Sequence, residues 1–262
     1  MSANQNQAVL LEIRDGVGLL LLNRPDKFNC LSSEVVGAFN THLDACARNR
    51  DVRALVIAAE GKNFCTGADL DEVLGARAER AKLERFIGGG HALLRRFEAL
   101  DLPVIAAVHG LALAGGMELL MASDVAFADP AARIGCQHAR YGLVPGWGGT
   151  QRLPRRVGLN RALELMYSGR WLDAAEARDW GLVNHLSEAG KVREAALAFA
   201  ADLAKKSRSG LAAMKRLARQ GLEGSLDAGL ALEERDIIDA LLGKDVDEGL
   251  AAFQQRRPPN FA

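Results

Sequence analysis

The runs VGLLLL (Val17–Leu22), ALVIAA (Ala54–Ala59) and PVIAAV (residues 103–108) constrain this chain most. Each is short, apolar and stopped by a breaker: Asn23-Arg24-Pro25 after the first, Gly61 and Gly110 after the other two. That design reads as a buried strand entering a loop. DVAFAD (residues 124–129) and RIG (residues 133–135) add shorter strand pieces. Between the strands the apolar period changes to that of a helix. Val36, Phe39, Leu43 and Cys46 recur at three and four, and Leu93, Leu94, Phe97 and Leu100 do the same. Strands alternating with helices over some two hundred residues (1–200) predict an α/β core.

Residues 201–262 read differently, as a helical C-terminal region. Leu226, Leu230, Ile237 and Leu241 line one helix face. Asp245 and Glu248 have the spacing of a capping box ahead of Leu250 and Phe253, as Asp173 and Glu176 do earlier, where Gly181 supplies the stop. Such apolar faces must be buried on the chain's own core or on another subunit.

Composition excludes several classes. Lys and Arg number 33, as do Asp and Glu, so no net field recruits nucleic acid or an anionic membrane. The basic segments at residues 151–161 and 205–220 lack interleaved aromatics to stack on bases. Cys30, Cys46, Cys65 and Cys136 form no C-x-x-C pair and have no clustered His, which predicts free thiols and no metal. Residues 1–16 lack a basic stretch followed by an apolar one, and residues 102–117, the most apolar segment, are broken by Pro103, His109 and three glycines. A cytoplasmic protein with no membrane span is expected.

Two strand–glycine loop–helix junctions carry the chemistry. One runs through residues 63–73 and the other through residues 109–124. At such a junction the first helical N–H groups lack intrahelical acceptors and the helix dipole adds positive charge. If the fold joins the two loops, the N–H groups of Ala68 and Gly115 converge on one carbonyl oxygen and stabilise the charge it gains on reaction. Glu118 follows Gly115 by three residues, among apolar neighbours, where a carboxylate is placed to shuttle a proton beside that oxygen.

The motifs NRPDKFNCLS (23–32), FCTGADL (64–70), AGGMELLMASD (114–124), GLVPGWGGTQRLPRRVG (142–158) and SGRWLDAAEARDWGLVN (168–184) resemble the enoyl-CoA hydratase/isomerase, or crotonase, family. The likeness runs through nearly the whole chain to the closing RRPPNF. It implies a spiral of ββα repeats with a C-terminal helical region that trimerises, trimers often pairing into hexamers. It also implies an acyl-CoA thioester substrate, with coenzyme A as part of the substrate and no separate cofactor, and an oxyanion hole at Ala68 and Gly115. Arg24, Lys27 and Asn29, with Thr66, Asp69 and Leu70 around the adenine, are the implied CoA contacts.

Two positions depart from the family pattern. Ala114 stands where hydratases commonly have a third glycine. His138 stands where the second catalytic glutamate is expected, and an imidazole there assists or orients rather than repeating a carboxylate's role. Hydration or dehydration of an enoyl-CoA is the leading expectation. Decarboxylation or hydrolysis of a CoA thioester, with His138 or Arg140 holding a substrate carboxylate, is the alternative, as is a CoA-ester binder without standard hydratase activity. Trp147 is read either as a wall of the acyl pocket or as the packing of a turn.

Overall fold

A computed structural model describes residues 7–261; residues 1–6, part of the segment read above for a leader, and residue 262 lie outside the described residues. The chain begins with β1 (Val9–Arg14) and β2 (Val17–Leu22), followed by α1 (Ser33–Arg48), β3 (Ala54–Ala59), α2 (Leu70–Ala76) and α3 (Arg80–Ala99). Then come β4 (Val104–Val108), β5 (Leu111–Leu113), α4 (Gly115–Ala122), β6 (Val125–Ala128) and β7 (Arg133–Gly135). The remainder is α5 (Gly149–Val157), α6 (Leu159–Ser168), β8 (Trp171–Asp173), α7 (Ala174–Asp179), β9 (His185–Leu186) and four helices: α8 (Val192–Ala204), α9 (Arg208–Gly221), α10 (Leu226–Leu241) and α11 (Lys244–Gln254).

A six-stranded sheet has the order β1-β2-β3-β4-β6-β9, with β1 antiparallel to β2 and the other pairs parallel. Its central strands β2, β3 and β4 are buried at every position. The reason is a layer on each face. Leu20, Leu22, Leu55, Ile57, Ala106 and Val108 pack with Phe39, Leu43, Phe97 and Leu119 in one core, whereas Val17, Leu19, Val56, Ile105 and Ala107 pack with Ala196 and Ala200 of α8 in the other. A parallel sheet covered on both faces reads as continuous apolar runs because alternate residues feed two cores.

A second sheet, β5-β7-β8, collects one short strand from each successive turn of the chain. β4 lies in the large sheet and β5 in the small one before α4; β6 and β7 repeat the split. Isolated parallel bridges Cys65–Ala112 and Leu31–Ala68 extend the small layer toward the N-terminal loops. The result is the expected crotonase-like spiral, each turn giving one strand to each layer.

Several local expectations change. The helix that carries Leu93, Leu94 and Phe97 begins at Arg80, well before that apolar set, and runs through Gly88, Gly89 and Gly90. A Cβ on Gly90 would fall 2.2 Å from the Trp147 ring, so that glycine is a packing requirement inside a helix. On α1 it is Val35 rather than Val36 that is fully buried beside Phe39, Leu43 and Cys46. Asp173 does cap α7, accepting from the N–H of Glu176, but Glu176 is drawn to Arg170 instead of closing the box. The box expected at Asp245 is absent: Gly243 is the N-cap of α11, Asp245 accepts from Ser207 and Ser209, and Glu248 pairs with Arg257. In both places an ion pair or hydroxyl donor outcompetes the backbone amide for the carboxylate.

Candidate active site

Ala68 sits between two hydrogen bonds that belong to its neighbours. Leu31 N–H donates to Gly67 O at 2.7 Å and Asp69 N–H donates to Leu31 O at 2.9 Å. In a parallel bridge of this kind the intervening residue turns its own N–H to the opposite side. For Ala68 that side is a cavity of about 340 Å³, which it lines together with Gly115. Gly115 opens α4 behind an N-cap, Ala114, whose methyl side chain cannot cap. Neither N–H has a protein acceptor among the described residues.

Glycines bring the two loops together. A Cβ on Gly116 would lie 2.0 Å from the carbonyl oxygen of Cys65, so only glycine lets the first turn of α4 rest on the other loop. A Cβ on Gly67 would lie 3.3 Å from the nitrogen of Gly115. Ala114 holds φ 48° and ψ −115°, a conformation that glycine adopts freely and alanine does not. The missing third glycine therefore stores strain at the base of the loop and leaves the neighbouring N–H in place.

Glu118 lies one turn into α4, 1% exposed. Its Oε1 accepts from the N–H of Trp147 at 2.8 Å and of Gly149 at 2.7 Å, which leaves Oε2 toward the cavity and 4.0 Å from His138 Nε2. Burial pushes this carboxyl up to about 7, against the two backbone donors and Arg152, which favour the charged form. Such an acid gives and takes a proton near neutrality.

His138 follows β7 in a short 3-10 turn, and burial lowers its pKa, so it is neutral at pH 7. Its Nδ1 lies 3.3 Å from the Cys136 thiol, which burial pushes up to about 11 and so keeps protonated. Assigned from this network, S–H donation to Nδ1 leaves the ring proton on Nε2, the nitrogen that faces Glu118.

The implied CoA contacts divide into two groups. Lys27, Thr66, Asp69 and Leu70 line the cavity. Arg24 and Asn29 do not; they build the loop behind it. Asn29 accepts from the Arg24 N–H and donates to the carbonyls of Glu60 and Asn63, while Arg24 bonds Asp69 at 3.1 Å. Asp69 in turn caps α2, and although burial opposes its charge, Arg24, Cys30 and the helix amides hold its carboxyl below the usual range. Arg140 is exposed, packs against Gly169 and stays outside the cavity.

Phe86, Ile87, Leu143, Val144 and Trp147 make the walls apolar. Trp147 both walls the pocket and packs the turn: its ring fills the space that side chains at positions 90 and 115 would need, and tilts against Phe86 at 5.4 Å. Phe86 and Ile87 were not legible, since the glycine run ahead of residue 91 hid the first half of α3. Among the described residues no group of three or more His, Cys, Asp or Glu could hold a metal ion.

Two sheets wound in a spiral, with paired glycine loops closing on a buried carboxylate, define a crotonase-type α/β enzyme. The family profile described as enoyl-CoA hydratase/isomerase matches residues 12–262, and the chain belongs to that family. Human mitochondrial methylglutaconyl-CoA hydratase is 37% identical over 96% of this chain and 75% of its own length. Among solved structures, enoyl-CoA hydratase from Bacillus anthracis superposes with a TM-score of 0.93 at 32% identity, covering 97% of this chain and 99% of that one. The enoyl-CoA hydratase of Mycobacterium smegmatis gives 0.90 at 31%, covering 97% and 98%.

Proposed function

We propose that this enzyme adds water across the C2–C3 double bond of an enoyl-CoA, and reverses that step, using one carboxylate. The supporting observation is that Ala68 and Gly115, whose main-chain N–H groups have no protein acceptor among the described residues, line the same apolar-walled cavity as a carboxyl of pKa about 7. Ala68 and Gly115 hold the thioester oxygen as it becomes an enolate. Glu118 takes a proton from water as its oxygen bonds to C3, and a proton passes from Glu118 to C2. His138, neutral, orients the water or the acyl chain. Lys27, Thr66, Asp69 and Leu70 contact the CoA portion, with Arg24 and Asn29 shaping the loop that carries them.

The acyl group this cavity suits is apolar. Beyond the mouth, where Lys27 pairs with Asp71, the wall offers a substrate carboxylate no permanent cation, and that weighs against decarboxylation of a malonyl-type ester. The test is incubation with crotonyl-CoA, branched enoyl-CoAs and methylmalonyl-CoA, with products read by mass. 3-Hydroxyacyl-CoA formation is expected; loss of carbon dioxide from methylmalonyl-CoA overturns the reading, and binding of every ester without turnover leaves a CoA-ester binder.

The C-terminal region (201–262) is the proposed assembly unit, a homotrimer or a dimer of trimers, because Leu226, Leu230, Ile237, Leu241 and Phe253 are exposed on a single chain. A cytoplasmic location fits a chain in which no described helix is long and apolar enough to cross a membrane.

A further inference from the structure

Arg152 has no part in the mechanism above, yet it stands directly behind the turn that holds Glu118. Its Nε and Nη2 grip both oxygens of Glu98 on α3, at 2.7 and 2.6 Å. Its remaining arm, Nη1, donates to the carbonyl of Trp147 at 2.7 Å. A Cβ on Gly148, which has φ 97°, would lie 2.0 Å from that same Nη1, so the turn is wrapped around the guanidinium. The amides of Trp147 and Gly149, on the other side of the turn, are those that hold Glu118 Oε1. The mount extends further. Arg219 of α9 reaches Glu98 at 3.4 Å and Asp124 at 2.8 Å, and Lys215 of the same helix reaches Asp124 at 2.9 Å, tying α9 to the same anchor.

We infer that Arg152 is a positioning residue for Glu118: braced by Glu98, it fixes the Trp147–Gly149 turn in the register at which two amides clamp the carboxylate. The inference rests on the reading that Glu118 moves the proton. A guanidinium forked onto a carboxylate, with a third donor on a carbonyl, is a rigid planar bracket that a lysine cannot reproduce.

The groups facing Glu118 are His138, Cys65, Cys136 and Arg152; the first three are uncharged near neutrality, so Arg152 is the charge among them. Around Arg152 itself stand Glu98, His91, Arg156 and Arg219. Removing the Arg152 cation and its grip favours neutral Glu118. Exchanging Arg152 for lysine keeps the cation and loses the planar bracket, so it separates the grip from the field.

The experiment is a pH titration of the side-chain carboxyls by carbon NMR in glutamate-labelled protein, the Glu118 signal being assigned by its loss in Glu118→Gln, alongside the pH dependence of kcat on crotonyl-CoA. Arg152→Met should raise the Glu118 midpoint by about one unit, and Arg152→Lys, which keeps the charge but not the bracket, should raise it by about half as much. An unchanged midpoint in Arg152→Met, or a parental midpoint in Arg152→Lys, overturns the inference, since a charge acting through space alone would survive in lysine. If Arg152→Met does not fold, Arg152→Lys decides alone. Retained turnover in Glu118→Gln would sink the proton-shuttle reading separately, because the NMR midpoints report the clamp without it.

Discussion

At the scale of the residue, Glu118 is the costly side chain. Its folded-state pKa, about 7, lies above the 4.5 of an ordinary glutamate, so between those values the native state holds more protons than the unfolded chain and stability falls as pH rises through that window. Below the lower value the effect vanishes, and above the upper one it is complete. The shift corresponds to about 3 kcal/mol. Glu118→Gln, whose amide oxygen can still accept from Trp147 and Gly149, should therefore abolish turnover, spare CoA affinity and stabilise the protein by up to about 3 kcal/mol near about pH 8, the gain fading toward about pH 4. Kinetics, CoA titration and urea unfolding at the two pH values measure all three, and retained turnover would place the proton elsewhere. The sequence disclosed this residue well, because an acid in an apolar first turn is anomalous on any face. What it hid was the partner set: Trp147 and Gly149 lie about thirty positions away and act through backbone atoms, which residue identity does not encode.

Among the elements, α4 matters through where its first turn rests. The strand–loop–helix pattern announces two anion-facing junctions, but each is ordinary alone. Their meeting depends on Gly116 accepting the Cys65 carbonyl at a distance that excludes any side chain. Gly116→Ala should separate the loops, cost roughly 2 to 4 kcal/mol and remove activity even where the helix still forms. Circular dichroism with thermal unfolding checks the first and crotonyl-CoA turnover the second; near-parental turnover would mean the loop junction can yield. Helix limits followed the same division. Asp173 was legible as a cap because capping is local, whereas the first half of α3 was hidden since Gly88, Gly89 and Gly90 are poor helix formers, and the one that packing requires, Gly90, answers to Trp147, more than fifty residues on.

For the molecule as a whole, the single chain leaves an apolar surface on its last helices, with Leu242 81% and Phe253 82% exposed. An exposed apolar surface of this kind marks an interaction site. Native mass by light scattering is expected at three or six times the 28.1 kDa chain, and a double change Leu241→Glu/Phe253→Asp should yield monomers of unchanged circular dichroism. A parent protein that runs as a monomer would refute the assembly. The sequence by itself determined the layered α/β plan, the helical tail, the two glycine junctions and the lone acid, because apolar period, breakers and an acid out of place are local signals. Only the tertiary structure decided that Arg24 and Asn29 brace a loop while Lys27 and Thr66 face the cavity, that Arg140 stays outside it, and that Glu118 titrates near neutrality, because cavity walls and local dielectric arise from contacts between residues far apart in the chain.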